Sequence, residues 1–395
     1  MKILIVTQLY YPEQFQINEI APELVRRGHD VTVLTGRPNY PQGEIYEGYK
    51  NVRYEEIEGV KIIRVPIHPR KHGPVHLAWN YLSYVVLGNR AARKLPKGFD
   101  IILSYQLSPV TSLYPAVTYK KKYGTPILNY CLDIWPESAQ AHVRSDKGLL
   151  YRFICRISRY LYKQCDHIAV TSRPFIDYLS EKNGVDINKM SYIPQHADDS
   201  YLTLDLSAKD NGTADFMYAG NLGQAQRVDV IIRAAKEIGI KSYLIHIIGD
   251  GSARTDLEKL TKELHIEDKV IFYGNQKREN MPDYYRKADA LLITLRGNNF
   301  VGNTMPGKLQ VYMACGKPIF GAINGAANET ILQAQCGKCV AAGDYIGLAK
   351  IMQEYIEHPE QYTYYGENAR RFFKEHFTLE MFMNKMEQQM REIIK

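Results

Sequence analysis

Short apolar runs alternate with amphipathic runs along almost the whole chain. In the first half, continuous apolar runs predict strands that are covered on both faces; they lie at residues 2–7, 30–35, 60–65, 101–104, 126–131 and 167–171. The segments between them have helical spacing and predict helices at residues 17–27, 76–95, 113–123, 149–165 and 174–182. Such alternation predicts a doubly wound, mostly parallel α/β sheet.

The same alternation restarts near residue 214 and predicts a second sheet. Strands are expected at residues 216–218, 243–248, 270–273, 290–294 and 318–321, with helices between them. We therefore predict two similar domains, at residues 1–195 and 196–370, and a C-terminal helix at 371–395 that packs back on the first domain. Because open α/β sheets bind ligands beyond the carboxyl ends of their strands, we expect the site in the cleft where the two domains face each other.

The chain of 395 residues is 45% hydrophobic, which is enough for two cores. Its net charge of +7 lies wholly in residues 1–200, which hold 26 Lys and Arg against 19 Asp and Glu. Such a field favours an anionic partner, a membrane surface or nucleic acid, although solubility alone also explains it. The N-terminus enters a strand directly, no apolar stretch is long enough to span a membrane, and the six cysteines are scattered. We therefore expect a cytoplasmic protein with reduced thiols.

Several common nucleotide motifs are missing from the sequence. No G-x-G-x-x-G follows the first strand, and no Walker A loop or D-x-D carboxylate pair occurs. We therefore predict no metal and no cofactor. Any bound phosphate must then be neutralised by backbone amides, helix N-termini and Lys or Arg side chains.

Three glycine-rich segments lie at strand ends in the second half, at residues 218–223, 248–252 and 302–308. Each precedes a predicted helix, so each offers free backbone N–H groups and a helix N-terminus to an anion. A single segment of this kind is more often an ordinary tight turn. Three at one edge of a sheet favour a diphosphate site, and Lys308 is placed to add a full positive charge there.

Residues 305–318, MPGKLQVYMACGKP, resemble the donor-site signature of family 4 glycosyltransferases, which are retaining enzymes. The segments at 26–35, 193–198 and 218–223 with Gln226 are similar to other motifs of that family, in the same order. Residues 35–43 and 132–138 resemble a narrower subgroup, which includes the N-acetylfucosamine transferases of bacterial O-antigen and capsule synthesis. The resemblance implies the GT-B fold, with two Rossmann-like doubly wound domains facing across a cleft.

The resemblance also implies a function. A UDP-sugar would be held by the second domain, and its sugar, an N-acetylated amino sugar, would pass with retention to an acceptor on the first domain. The implied acceptor is a lipid-diphosphate-linked saccharide in the synthesis of O-antigen, capsule or exopolysaccharide. Two alternatives stay open: a UDP-sugar epimerase on the same fold, and a non-catalytic nucleotide-sugar-binding protein. No module that reads nucleic acid is recognisable, so nucleic acid is not an expected partner.

The predicted donor-binding residues follow from the glycine-rich segments and the signature. They are Gly220, Asn221, Leu222, Gly223, Gln226, Gly249, Asp250, Tyr273, Asn303, Thr304, Met305, Pro306, Gly307, Lys308 and Gln310. The family's E-x7-E pair falls on Asn303 and Val311, so both glutamates are absent. The ribose contact that the second glutamate supplies must come from elsewhere, and Gln310 is the candidate. This loss is what keeps the binding-protein alternative open.

Two carboxylates after the fourth parallel strand are the catalytic candidates. Asp133 and Glu137 would position the acceptor hydroxyl or act as a base; a turn residue and a surface ion pair are the alternatives. The predicted acceptor-binding residues are Glu13, Gln14, Gln16, Asn39, Tyr40 and Trp135, the last of which could equally be a core residue.

The helix at residues 149–165 carries four cations, Arg152, Arg156, Arg159 and Lys163, beside apolar residues that include Phe153 and Tyr160. A core-packed helix with a basic outer face explains this pattern. Docking to an anionic bilayer is the alternative, and it would make the enzyme peripheral at the inner face of the cell membrane.

Overall fold

The computed structural model describes residues 1–71, 73–138, 148–208, 211–240, 242–297 and 305–395. The chain forms two compact units, one of Met1–Ile193 with Met383–Lys395 and one of Pro194–Phe382. The first boundary lies two residues before the predicted one. The second lies near residue 383 and not at 371, so residues 371–382 belong to the second unit.

The first unit contains an eight-stranded sheet in the order β3-β4-β2-β1-β5-β6-β7-β8, parallel except for β3. Its strands are β1 (Lys2–Val6), β2 (Asp30–Gly36), β3 (Tyr54–Ile57), β4 (Val60–Val65), β5 (Ile101–Gln106), β6 (Ile127–Cys131), β7 (His167–Val170) and β8 (Met190–Tyr192). Its helices are α1 (Ile17–Arg26), α2 (Pro74–Lys94), α3 (Tyr114–Tyr123), α4 (Leu149–Gln164) and α5 (Pro174–Asn183). The central strands β5 and β6 are buried at every position, as expected for strands covered on both faces.

The second unit contains six parallel strands in the order β11-β10-β9-β12-β13-β14. They are β9 (Ala214–Ala219), β10 (Tyr243–Ile248), β11 (Val270–Gly274), β12 (Ala290–Thr294), β13 (Ile319–Ala322) and β14 (Gly337–Val340). The helices of this unit are α6 (Asp229–Glu237), α7 (Arg254–Glu263), α8 (Met281–Lys287), α9 (Gly307–Cys315), α10 (Gly325–Gln333), α11 (Tyr345–Glu357) and α12 (Thr363–His376). This is the 3-2-1-4-5-6 order of a doubly wound dinucleotide-type sheet, with the strand order reversing between β9 and β12.

The end of the chain is divided between the units. Phe373 and Phe377 are buried in one core cluster with Leu309 and Met313 of α9, which holds this segment in the second unit. Helix α13 (Leu379–Ile394) follows, and from residue 383 onward it belongs to the first unit. There the Glu387 carboxylate lies 2.6 Å from His29 Nε2.

Helices α2 and α4 leave apolar side chains exposed. On α2, Val75, Trp79, Leu82 and Val86 recur at helical spacing on one face, and Trp79 is 56% exposed. On α4, Phe153 is 58% exposed and Tyr160 is also exposed, whereas Ser158, Leu161 and Tyr162 are buried. The buried side of α4 is centred on residues 158 and 161–162, so Phe153 and Tyr160 do not contribute to the core. In the described part of the chain, no helix has the length and hydropathy that a membrane span requires.

Glycines let the loops after β9 and β10 come into direct contact. Gly220 N donates to the Ile248 carbonyl at 2.9 Å, and Gly249 N donates to the Gly274 carbonyl at 2.9 Å. A Cβ at Gly249 would lie 1.9 Å from the Gly220 carbonyl oxygen, and its φ of 130° is unfavourable for any other residue. Only glycine therefore permits this approach of the two strand ends.

We expect Gly249→Ala to lower the thermal unfolding midpoint of the second unit by roughly 6–12 °C, because overpacking and backbone strain cost about 3 kcal/mol together. Circular dichroism melting measures this shift. Gly239→Ala is the matched control, since nothing lies within 4 Å of a Cβ at that position. Equal midpoints for the two variants would contradict the close contact at Gly249.

Candidate functional site

In the second unit, the predicted donor residues gather where the strand order reverses. Gly220 directly follows β9, and Lys308 is the second residue of α9, the helix that follows β12 in the chain. Because β9 and β12 are neighbours, their carboxyl ends form the crevice in which doubly wound sheets bind ligands. The structure thus brings Gly220 and Lys308 together, with Lys308 Nζ 3.0 Å from where a Cβ of residue 220 would be.

The Lys308 ammonium is held by neutral partners. Its Nζ donates to the Tyr218 hydroxyl at 2.5 Å and to Gln226 Oε1 at 2.8 Å, and it lies 4.0 Å from the centre of the Tyr218 ring. No ion pair to Lys308 occurs among the residues that the structure describes. An aromatic ring and two dipoles do not cancel the charge of a protonated lysine, so the protonated form of Lys308 can pair with an incoming anion.

Burial lowers the pKa of Lys308 from 10.5 to about 7. Between about pH 7 and 10.5 the folded protein therefore binds fewer protons at this site than the unfolded chain does. The contribution of Lys308 to the free energy of unfolding consequently rises with pH across that window. An anion bound beside Lys308 would raise its pKa again, since a negative charge favours the ammonium form.

Tyr218 was not among the predicted donor-binding residues, although it is the first residue of the predicted glycine-rich segment at 218–223. Its hydroxyl accepts from Lys308 and donates to the Asn221 carbonyl at 2.9 Å, so one side chain orients both the lysine and the loop. Tyr312 of α9 has a related role, since its hydroxyl accepts from Ala219 N at 2.8 Å. An aromatic hydroxyl in mid-strand gives little signal in a sequence pattern, because Tyr is also common in cores.

The other donor candidates divide into loop-forming and side-chain groups. Leu222 is buried, and its backbone N donates to the Asp250 carbonyl at 2.9 Å, which joins the first two loops. The Asp250 carboxylate is exposed and pairs with Arg254 at 3.1 Å. The Tyr273 hydroxyl lies 2.8 Å from His246 Nδ1.

The start of α9 contains the remaining donor candidates. Pro306 is its N-cap and Gly307 its first residue, with Met305 half-buried before them; Gly223 is likewise the N-cap of the 3-10 helix Gln224–Gln226. Gln310 is 1% exposed, and its amide, oriented as a donor, bonds the Pro306 and Gly307 carbonyls. The Gln310 amide thus binds the start of its own helix, and its contact with a ribose stays a prediction. The predicted residues Asn303 and Thr304 lie outside the described residues.

In the first unit, Asp133 is the second residue after β6 and is half-buried. Burial raises its pKa, against hydrogen bonds from Ser138, Ser108 and Trp135 that lower it. The indole of Trp135 donates to Ser108 Oγ at 3.1 Å, and Gln106 Nε2 donates to the Asp133 carbonyl at 2.7 Å. The carboxylate is therefore held at the ends of β5 and β6, with a pKa shift that makes it a better base.

Glu137 has a different environment. Its Oε2 accepts from the Tyr178 hydroxyl of α5 at 3.1 Å, so it contacts a helix on the far side of β6 from β5. The structure thus does not show Asp133 and Glu137 sharing one partner. Of the two, Asp133 lies nearer β5, since Gln106 at the end of β5 donates to its carbonyl.

Glu13 is 1% exposed, and its carboxylate accepts backbone hydrogen bonds from Asn39 N at 2.8 Å, Tyr40 N at 2.7 Å and Tyr10 N at 3.2 Å. Burial raises its pKa to about 7 in spite of these donors. Because the ordinary value is 4.5, its contribution to the free energy of unfolding is fully present below that pH and is lost as pH rises through about 7. Glu13 therefore shapes the loop that contains Asn39 and Tyr40.

Asn39 is buried as well, and its Oδ1 accepts from Arg70 N at 2.9 Å and from Asn80 Nδ2 at 3.3 Å. Asn80 in turn accepts from Gln8 Nε2 at 2.7 Å. Gln8, Arg70 and Asn80 were missed by the sequence analysis. Polar residues at strand ends and within a helix have no distinct spacing, and only the fold brings them together.

The remaining acceptor candidates lie nearer the surface. Tyr40 is exposed, with Phe15 tilted against its ring at 5.7 Å between centroids and the Arg70 guanidinium 5.2 Å from its centre. Gln14 is exposed in the loop between β1 and α1, and Gln16 is the N-cap of α1. Trp135 is half-buried and not a core residue.

We expect Glu13→Ala to lower the free energy of unfolding of the first unit by about 2–4 kcal/mol, since buried backbone N–H groups lose their acceptor. Urea denaturation followed by tyrosine and tryptophan fluorescence measures the loss. Glu44→Ala, an exposed carboxylate further along the chain, is the control and should change stability by less than about 0.5 kcal/mol. Similar stabilities for both variants would show that the Glu13 bonds contribute little.

Comparison with known proteins assigns both halves of the chain to glycosyltransferase domain families. Residues 14–196 match the family model "Glycosyl transferase 4-like domain", and residues 205–372 match "Glycosyl transferases group 1". The chain is 24% identical over 338 residues to the putative colanic acid biosynthesis glycosyl transferase WcaI of Escherichia coli (strain K12), covering 80% of this chain and 82% of that protein.

Solved structures show the fold. Sucrose-phosphate synthase from Thermosynechococcus elongatus superposes with a TM-score of 0.77 at 17% identity, covering 99% of this chain and 98% of the other. Anabaena Alr3699/HepE in complex with UDP superposes with a TM-score of 0.73 at 14% identity, covering 99% and 100%. The chain is thus a glycosyltransferase of the GT-B fold, with a glycosyl transferase 4-like domain followed by a glycosyl transferases group 1 domain.

Proposed function

We propose that the enzyme moves a sugar from a UDP-sugar to a hydroxyl of a lipid-diphosphate-linked saccharide in bacterial surface polysaccharide synthesis. The second unit would bind the donor and the first unit the acceptor. Four finer parts of the proposal rest on the resemblance of the motifs. They are retention of configuration, transfer of an N-acetylated amino sugar, independence of metal, and a product in O-antigen or capsule. The similarity to a colanic acid biosynthesis protein supports the polysaccharide.

The observation that carries the donor proposal is Lys308, which lies beside the end of β9 with no anionic partner among the described residues. A leaving nucleoside diphosphate develops negative charge, and a preorganised cation with nearby backbone amides stabilises it. Tyr218 and Gln226 hold Lys308 in position before the donor arrives, so little reorganisation is needed. The superposition on a protein crystallised with UDP supports uracil as the base.

On the acceptor side, Asp133 would accept a hydrogen bond from the attacking hydroxyl and take its proton. Its raised pKa suits this role, because a base works best when its pKa lies near the working pH. Trp135, beside it, would present its ring to the acceptor sugar. Glu137 stays a second candidate, although its partner Tyr178 draws it toward α5.

The two alternatives differ in what they require. An epimerase would turn over a UDP-sugar with no acceptor present. A non-catalytic binding protein would bind it and leave it unchanged, and the absent E-x7-E glutamates at Asn303 and Val311 favour that outcome more than any other feature does.

A membrane-facing surface on the first unit supports a lipid-linked acceptor. Helices α2, α3 and α4 contain ten Lys and Arg residues and no Asp or Glu. They are neighbours: Thr118 of α3 donates to Asn89 of α2 at 2.9 Å, and Lys121 Nζ of α3 lies 5.3 Å from the Tyr160 ring of α4. Two of these three basic helices, α2 and α4, also carry exposed apolar residues. Cations together with exposed Trp, Phe and Leu are the composition that binds anionic lipid surfaces.

We expect UDP and a UDP-sugar to stabilise the protein against heat and Lys308→Ala to weaken their binding about 30-fold or more. Truncating one partner of a buried charge pair costs about 2–5 kcal/mol. Titration calorimetry without metal measures the affinity. Lys259→Ala is the matched control, because that lysine is exposed and pairs only with Glu263 in the described part of the chain.

The same titration at pH 8 should show uptake of close to one proton per UDP bound, since Lys308 is largely neutral there until the diphosphate arrives. Repeating it in buffers of different ionisation enthalpy measures the uptake, and Lys308→Ala should abolish it. Absence of UDP binding to the unmodified protein would refute the donor proposal. Binding followed by turnover without acceptor would indicate the epimerase, and binding without any turnover would indicate the binding protein.

We expect the protein to cosediment with vesicles that contain phosphatidylglycerol, and not with neutral phosphatidylcholine vesicles. The double variant Trp79→Ser/Leu82→Ser should reduce the partition coefficient at least tenfold, because burying each side chain contributes about 1.5–3 kcal/mol. Tyr54→Ser is the control, since Tyr54 is 76% exposed on edge strand β3 and away from these helices. Equal vesicle binding by the double variant and by Tyr54→Ser would refute the membrane surface. Competition for vesicle binding by double-stranded oligonucleotides, to the same extent in both variants, would refute it too.

A further inference from the structure

We infer that Arg70 binds the phosphate group of the acceptor, which makes residues 40, 70 and 81 an anion subsite beside Asp133. This inference rests on the proposed function, because it names the part of the acceptor that the first unit recognises.

The charge of Arg70 is not neutralised within the described part of the chain. Its guanidinium lies 5.2 Å from the centre of the Tyr40 ring, and no carboxylate pairs with it among the described residues. By contrast, nearby Arg64 pairs with Glu55 and donates to the Tyr11 carbonyl. A guanidinium stacked on an aromatic face keeps its N–H edge available, and that edge matches two phosphate oxygens at once.

The position of Arg70 is fixed by buried groups. Its backbone N donates to Asn39 Oδ1, which Asn80 also contacts, while Glu13 accepts from the backbone of Asn39 and Tyr40. Both halves of the stacked pair thus belong to one buried hydrogen-bond network. A binding group held in this way loses little entropy when its ligand arrives.

Arg70 also lies close to the proposed base. The pKa of Tyr81 on α2 is raised by burial, lowered by the Arg70 charge, and raised by the charges of Asp133 and Tyr40. Arg70, Tyr40 and Asp133 are therefore all near enough to the Tyr81 hydroxyl to act on it electrostatically. A phosphate at Arg70 would place the sugar attached to it beside Asp133, with the Tyr81 hydroxyl as an additional donor to the phosphate.

The segment that follows Arg70 fits the lipid. Val75 begins the exposed apolar stripe of α2 five residues later, and the stripe continues through Trp79, Leu82 and Val86. A cation followed by an apolar helix face matches a phosphate followed by a hydrocarbon chain. The lipid-linked acceptor thus has one chemical partner for each of its parts within the first unit.

The test uses the full chain with its donor site saturated by UDP, so that a diphosphate probe cannot occupy the site at Lys308. The probe is a ten-carbon alkyl diphosphate, and the matching alkyl alcohol is its uncharged counterpart. We expect Arg70→Gln to weaken diphosphate binding at least tenfold, Arg70→Lys to restore part of it, and binding of the alcohol to stay within threefold. Arg26→Gln, which removes only exposed ion pairs to Glu23 and Glu58, should bind both probes as the unmodified protein does.

Turnover gives a second measurement. With an alkyl-diphosphate-linked monosaccharide, Arg70→Gln should raise KM at least tenfold with little change in kcat, whereas KM for the matching alkyl glycoside should stay within threefold. If Arg70→Gln affected the diphosphate compounds and their uncharged counterparts equally, or did not affect the diphosphate compounds, the role of Arg70 would be overturned. If the unmodified protein used neither acceptor while the diphosphate still bound through Arg70, the proposed transfer reaction would fail and the anion subsite would stand.

Discussion

The contact between the ends of β9 and β10 is the constraint on which the donor side depends. Gly249 allows the two backbones to meet at the Gly220 carbonyl, and this contact fixes the loop that faces Lys308. Tyr218 then orients both Lys308 and the loop through one hydroxyl. Because the described partners of the lysine are dipoles and not carboxylates, no described group cancels the charge of its protonated form. Electrostatics of this kind can bind a diphosphate without the carboxylate-held metal that other nucleotide-sugar enzymes use.

The proposed acceptor side is organised by a buried carboxylate, that of Glu13. The Glu13 carboxylate is almost wholly buried and holds the backbone of the loop at Asn39 and Tyr40. It stabilises the loop while leaving the exposed chemistry to other residues, mainly Tyr40, Arg70 and Asp133. A buried carboxylate that organises backbone N–H groups is as important to a site as one that contacts the substrate, because it decides where the other side chains point.

Helix α2 connects these features within the first unit. Its buried face contains Asn80 and Tyr84, and Asn80 belongs to the network of Asn39 and Gln8. The opposite face exposes the apolar stripe that begins at Val75. One helix thus contributes to the loop network on one side and offers an apolar surface on the other, which is the arrangement that a lipid-bearing substrate requires.

The sequence by itself determined the two doubly wound units, the absence of common nucleotide motifs, and the glycine-rich segments with Lys308. Periodicity and glycine position are local properties, so a pattern along the chain records them. The sequence pattern did not predict the short edge strand β3, the unit boundary near residue 383, or the exposure of Phe153 and Tyr160. That exposure depends on neighbours distant in the chain. Only the tertiary structure decided that Tyr218 holds Lys308, that Glu13 is internal, and that Arg70 lies near Asp133. Those relations join residues from different strand ends, and a linear pattern carries no distance between them.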